Sequence, residues 1–165
     1  MTAILPAEVL EKSATVLEQL KAAGLMVVTA ESCTGGLVAG ALTAHAGSSA
    51  AVAGGFVTYS NAMKQAALGV PENMLAQWGA VSQRVAQSMA EGALAHAPGA
   101  DIAVSLTGVA GPDGGNEAKP VGLVWFGLQR AGQPPLTQKQ IFGGNRTEVR
   151  AQAVLHALQM IQDSL

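Results

Sequence analysis

At 165 residues, 49% of them apolar, the chain has the length and the apolar content to fill a single core, and it reads as one domain over 1–165 with no internal boundary. Aromatics make up only 4% while glycine occurs 20 times, so close packing with tight backbone approaches is expected. A net charge of −2 without a Lys/Arg cluster leaves no electrostatic footprint for nucleic acid or a membrane surface, and a lone cysteine, Cys33, excludes an internal disulfide framework.

Residues 7–23 carry Val9, Val16, Leu17 and Leu20 on one helical face, with Gly24 as a stop. Leu25 to Ala30 is a short apolar run, predicted as a buried strand. A second helix is expected over 35–45, opened by Gly35 and Gly36. Val52 to Tyr59 reads as a second strand, where Gly54 and Gly55 suggest close backbone approach. Short helices are expected over Asn61 to Leu68 and Pro71 to Trp78, and a longer one over Ser82 to Ala97 with Ser82 as N-cap. Asp101 to Leu106 is a third strand, followed by a glycine-rich loop over 107–120. Val121 to Gln129 and Leu136 to Phe142 are the fourth and fifth strands. Asn145 and Glu148 resemble a capping box for a final helix that buries Val154, Leu158, Ile161 and Leu165.

Helices separate the first three strands, which favours parallel neighbours; strands three to five are joined by loops, so strand four should run antiparallel. The expected fold is α/β, a three-layer α/β/α sandwich on a mixed five-stranded sheet. The N-terminus lacks a basic segment followed by an apolar run and a cleavage site, so no signal peptide is read. The stretch from Ala39 to Phe56 is broken by His45, Gly47, Ser48 and Ser49 and falls short of the roughly 18 apolar residues a membrane span needs. A cytoplasmic protein that binds neither membrane nor nucleic acid is expected.

Three segments could carry chemistry. Thr29-Ala30-Glu31-Ser32-Cys33-Thr34-Gly35-Gly36 lies where the first strand passes into a helix, at the sheet edge where open α/β sheets hold ligands. A serine there is placed as a nucleophile, and free amides at a helix start can hold an anion or an oxyanion. The same letters also read as an N-cap serine before a tight Gly-Gly turn, and Cys33 is a rival nucleophile. In Tyr59-Ser60-Asn61-Ala62-Met63-Lys64, tyrosine and lysine could face the same cleft. A desolvated lysine can serve as the base that a serine hydroxyl needs, with the tyrosine hydroxyl relaying the proton or orienting the amine; a solvated lysine beside a half-buried tyrosine is the plainer alternative. In Thr107 to Gly115, successive glycines let amides approach a ligand, and no Gly-Lys-Ser/Thr ending makes it a Walker loop. His45, His96 and His156 show no metal-ligand spacing, and no metal or cofactor is expected. Arg146, a cation opening the last helix, hints at an anionic partner.

Taken together, TAESCTGG at 29–36, GSS at 47–49, TYSNAMK at 58–64, LGV at 68–70, GAVS at 79–82, TGVAGPDGG at 107–115 and KPVG at 119–122 make the chain resemble the family of the CinA C-terminal domain and the stand-alone nicotinamide-nucleotide amidases (PncC) along nearly its whole length. Asn145 stands where that family usually has an acidic residue before the arginine. The resemblance implies hydrolysis of the carboxamide of nicotinamide mononucleotide to nicotinic acid mononucleotide and ammonia, without a metal. It places the nucleophile on Ser32 and its partners on Tyr59 and Lys64. Substrate contacts are then expected from Cys33, Thr34, Gly35, Gly36, Asn61, Thr107 and Gly108. Ser48, the loop with Gly111 and Gly115, and Arg146 are candidates for the 5′-phosphate. The fused members carry a further N-terminal domain that this sequence lacks, which points to the stand-alone form, and a homodimer is compatible with the resemblance. Two other classes stay open: a non-catalytic pyridine-nucleotide-binding or regulatory module, and a phosphotransferase, for which Glu31 and Asp113 are the only nearby acids.

Overall fold

The computed structural model describes residues 4–165. Its elements follow the predicted order: α1 (Ala7–Ala23), β1 (Val27–Glu31), α2 (Leu37–Thr43), β2 (Val52–Val57), α3 (Asn61–Leu68), α4 (Glu72–Trp78), α5 (Gln83–His96), β3 (Ile102–Gly108), β4 (Leu123–Arg130), β5 (Leu136–Ile141) and α6 (Arg146–Asp163), with a single 3-10 turn at Ser48–Ala50 before β2. The sheet order is β2-β1-β3-β4-β5. β1 runs parallel to β2 and β3, and β4 is antiparallel to both β3 and β5. The mixed five-stranded α/β/α arrangement expected from the sequence is therefore the observed one.

Period-two alternation sends successive side chains of the central strands into two different cores. Val27, Ile102, Val104 and Phe126 pack against Val16, Leu20, Val38 and Leu158 from α1, α2 and α6. Val28, Ala30 and Ala103 face Leu68, Leu75, Val85 and Met89 from α3, α4 and α5. Both faces of β1 and β3 are sealed, so what these strands expose is their ends. Because the chain leaves β1 toward one sheet edge and β3 toward the other, the carboxyl ends of these two strands flank the crevice where open α/β sheets bind ligands.

A glycine lets α5 pack directly on the end of α3. A Cβ on Gly92 would stand 1.9 Å from the Leu68 carbonyl oxygen at the end of α3. Gly92→Ala should therefore push α3 off α5 and cost about 1–3 kcal/mol, as overpacked cores do. Urea unfolding should show a lowered midpoint with an unchanged slope; an unchanged midpoint would mean the two helices are not held by this contact. Of the two glycines in β2, Gly55 meets the Thr29 hydroxyl at 2.5 Å from its would-be Cβ, whereas Gly54 has open space around it.

Candidate active site

The turn after β1 is built from main chain. Ser32 donates its amide to the Leu106 carbonyl of β3 at 3.0 Å, which ties the serine to the strand beside it. Gly35 and Gly36 then adopt φ of 60° and 98°, left-handed values that only glycine takes without strain, so the helix starts at Leu37 rather than at Gly35. The Glu31 side chain is fully buried and satisfied by four donors: the Thr34 hydroxyl at 2.7 Å, the Val38 and Ala39 amides at 2.9 and 3.1 Å, and the Thr29 hydroxyl at 3.3 Å. A carboxylate on the first amides of α2 complements the helix dipole and anchors the far side of the turn. Among the described residues, the Cys33 and Thr34 amides have no acceptor.

Lys64 comes to this turn from the other helical layer. The Ser60 hydroxyl caps α3 through the Met63 amide, and Lys64 follows one turn in, aimed under the sheet edge. Its side chain is 1% exposed, and its Nζ lies 2.9 Å from the Ser32 Oγ, 2.8 Å from the Thr58 carbonyl and 3.2 Å from the Tyr59 carbonyl. Among the described residues no carboxylate lies within ion-pair distance of it. Burial without a counter-ion drives the lysine below its ordinary range, the nearby Cys33 acting weakly in the opposite sense. Three oxygens surround Nζ, and when the amine is neutral its two N–H groups serve the two carbonyls, leaving its lone pair for the Ser32 hydroxyl. Burial acts in the opposite direction on Cys33, lifting its thiol to about 11, so the thiolate is scarce at neutral pH.

These groups open onto a cleft of about 320 Å³, lined also by Tyr59, Asn61, Ala80, Val81, Thr107 to Gly111, Asp113, Gly114 and Arg146. Arg146 crosses its mouth, donating to the Gly111 carbonyl at 2.8 Å and to the Tyr59 hydroxyl at 3.2 Å. Both acceptors are neutral oxygens, so the guanidinium retains its charge for an anion. A groove of 430 Å³ over α1 and α6, lined by Glu8, Lys12 and His156 among others, contains no nucleophile with a base beside it.

The chain as a whole has relatives among known proteins. The model of the CinA C-terminal domain matches residues 10–165. The chain belongs to the CinA C-terminal domain family. It is 56% identical over 149 residues to a nicotinamide-nucleotide amidohydrolase PncC of Enterobacter agglomerans, covering 90% of each chain. It is 53% identical over 154 residues to the PncC of Escherichia coli K12, covering 93% of each. The solved structure of the competence/damage inducible protein CihA from Agrobacterium tumefaciens superposes with a TM-score of 0.94 at 45% identity, covering 98% of both chains.

Within this CinA domain, the cleft gathers Ser32, Cys33, Tyr59, Asn61, Lys64, Thr107, Gly108, Gly111 and Arg146 from the residues singled out in the sequence. Others lie elsewhere. Ser48 sits in the 3-10 turn before β2, at the opposite edge of the sheet, because β2 runs parallel to β1 and its start is level with the start of β1. Thr34 is fully buried, with its hydroxyl spent on Glu31. The Gly35 amide is taken by the Ser32 carbonyl at 3.0 Å, so it has no proton to offer a ligand. Gly35, Gly36 and Gly115 do not line the cleft, and Gly115 lies close against Val121. The hydroxyl of Thr107 is bonded to the Ala80 carbonyl, so its part in the cleft wall is not as a donor. The hydroxyl of Tyr59 meets Arg146 rather than the lysine; it is the Tyr59 carbonyl that touches Nζ. The histidines have other partners: His45 with Ser13, His96 with the Gly92 carbonyl, and His156 with Gln138 and the ring of Phe126. Sequence reading passed over Glu31 as an anchor, and over Arg150, whose guanidinium reaches the Cys33 and Thr34 carbonyls.

Proposed function

We propose that the protein is an amidohydrolase of nicotinamide mononucleotide, releasing ammonia and nicotinic acid mononucleotide through Ser32 and Lys64. The single observation that carries the reading is the 2.9 Å contact between the Ser32 hydroxyl and a buried lysine that has no counter-ion among the described residues. The names of two relatives above 50% identity over at least nine-tenths of both chains support the substrate.

Neutral Lys64 takes the Ser32 proton as Oγ bonds to the carboxamide carbon, and the carbonyl π pair moves onto oxygen. The unpaired Cys33 amide, the residue after the nucleophile, donates to that oxyanion, a contact worth about 2.7–4 kcal/mol in comparable sites. The lysine ammonium then passes its proton to the departing nitrogen, the C–N bond breaks, and ammonia leaves behind a serine ester. Water attacks the ester with the same amine as base, giving the acid and restoring the serine.

The substrate assists. Its pyridinium ring is cationic, so it disfavours an ammonium at Lys64 and keeps the amine neutral. The ring of Tyr59, 62% exposed along the cleft, offers an aromatic face to that cation, and this replaces proton relay as its role. Arg146 and the loop amides around Gly111 and Gly114 suit the 5′-phosphate. Incubation with nicotinamide mononucleotide should release ammonia, and the riboside lacking the phosphate should be turned over far less well. Saturable binding of the mononucleotide without ammonia would leave a binding module in its place. That no helix among the described residues is long and apolar enough to cross a membrane fits an enzyme acting on a dissolved nucleotide, in the cytoplasm on this reading.

A further inference from the structure

Arg150 has no step in the chemistry above, yet both hydrogen bonds it makes among the described residues end on the main chain of the nucleophile turn. From α6, its Nε donates to the Cys33 carbonyl at 3.1 Å and its Nη2 to the Thr34 carbonyl at 3.2 Å. It has no carboxylate partner among those residues. A guanidinium spent on two neutral carbonyls needs a reason beyond charge.

Peptide geometry supplies one. In a trans peptide unit the carbonyl and the next N–H point in opposite directions. Holding the Cys33 carbonyl therefore fixes where the Thr34 amide points. Holding the Thr34 carbonyl fixes the Gly35 amide, which bonds the Ser32 carbonyl at 3.0 Å and so orients the 32–33 unit and the Cys33 amide. Cys33 and Thr34 own the two amides in this turn that lack an acceptor among the described residues. The left-handed Gly35 and Gly36 that follow are residues at which the backbone can rotate at low cost. The Leu37 amide holds the Thr34 carbonyl from inside the turn at 3.2 Å, but among the described residues the Cys33 carbonyl has no main-chain donor and is held by Arg150.

We propose that Arg150 is a positioning residue for acyl transfer: its guanidinium locks the peptide units on either side of Cys33 so that the Cys33 amide, which lines the cleft, is aimed at the developing oxyanion. The proposal rests on Ser32 being the nucleophile. It predicts a defect confined to the transition state, because the ground-state amide gains little from this donor.

The test is steady-state ammonia release from nicotinamide mononucleotide by Arg150→Ala and Arg150→Lys, read alongside Ser32→Ala. Loss of the brace should lower the kcat of Arg150→Ala by about 10²-fold, the scale of a lost oxyanion donor, with KM little changed and the pH profile unmoved. Millimolar guanidinium ion should restore much of that kcat. Arg150→Lys, which can reach only one carbonyl, should fall between the two and gives the answer if the smaller side chain does not fold. A change in KM with kcat preserved would make Arg150 a substrate contact and overturn the proposal. So would wild-type kcat in both variants, or equal losses in both with no response to guanidinium. An inactive wild type, or an active Ser32→Ala, strikes instead at the amidase reading itself.

Discussion

Ser32→Ala should lower ammonia release by about 10⁴–10⁶-fold, the range seen when the nucleophile of a catalytic unit is removed while its oxyanion donors remain. The fold should survive, because the tether to β3 runs through the Ser32 amide, which alanine keeps. Binding of nicotinamide mononucleotide should persist, since Tyr59, Arg146 and the loop after β3 are untouched. Cys33 is the internal control. It lines the same cleft, but its thiol is buried and pushed up to about 11, so Cys33→Ala should keep activity within a few-fold of wild type. Single-turnover assays of both variants decide the matter. Near-normal turnover by Ser32→Ala together with loss in Cys33→Ala would transfer the nucleophile to the thiol.

Lys64 makes the second large prediction, and two substitutions separate its roles. Lys64→Arg keeps a cation and donors but cannot lose its proton near neutral pH; Lys64→Met keeps the length and removes both. If the residue is a base, both should lose about 10²–10⁴-fold in kcat, the usual worth of general base catalysis. If it only balances charge or holds the turn, the arginine variant should retain most of its activity. The wild-type rate should rise with pH through a value below 10.5, the ordinary lysine position, because burial lowers the amine.

Stability should follow the same lysine with a definite sign. Over the window between the lowered folded pKa and 10.5, the unfolded chain holds a proton that the folded chain has shed. Stability from this group is therefore least at low pH and rises with pH through that window. In Lys64→Met that slope should vanish, so the variant's stability relative to wild type should be greatest below the lowered pKa and decline toward pH 10.5.

Much of this was visible in the letters, for reasons that differ by element. α3 could be bounded at both ends because Ser60 is a capping hydroxyl and Gly69 a left-handed stop, both local signals. α6 announced itself through Asn145 and Glu148, whose reciprocal bonds form the capping box. β1 starts two residues later and ends one residue further on than the apolar run from Leu25 to Ala30 predicts. Glu31 reads as a polar terminator, yet it lies inside the sheet because α2 and two threonines satisfy its carboxylate, a tertiary compensation that no local window contains. α2 begins at Leu37, two residues later than the sequence predicts, because the positive φ of Gly35 and Gly36 makes them the approach to the helix rather than its opening.

The candidate site divides along the same line. Ser32 and Lys64 could be chosen from residue chemistry, but their contact is a product of packing α3 against the end of β1. Ser48 illustrates the opposite case: a Gly-Ser-Ser motif suggests phosphate binding, and only the parallel register of β1 and β2 puts it at the wrong edge. Arg150 did leave a signal. It stands four residues after Arg146 on α6, so the two share a helix face, one reaching the cleft mouth and the other the turn.

Catalysis by Ser32 requires an uncharged amine at Lys64, and the titration of that amine can be followed directly. In protein labelled with ¹³C at the lysine ε-carbons, the Lys64 resonance, assigned by its loss in Lys64→Met, should titrate below 10.5, at the same pH as the rising limb of the rate profile. A midpoint at or above 10.5 would mean that the residue stays an ammonium during turnover, and the Ser32–Lys64 mechanism would be wrong.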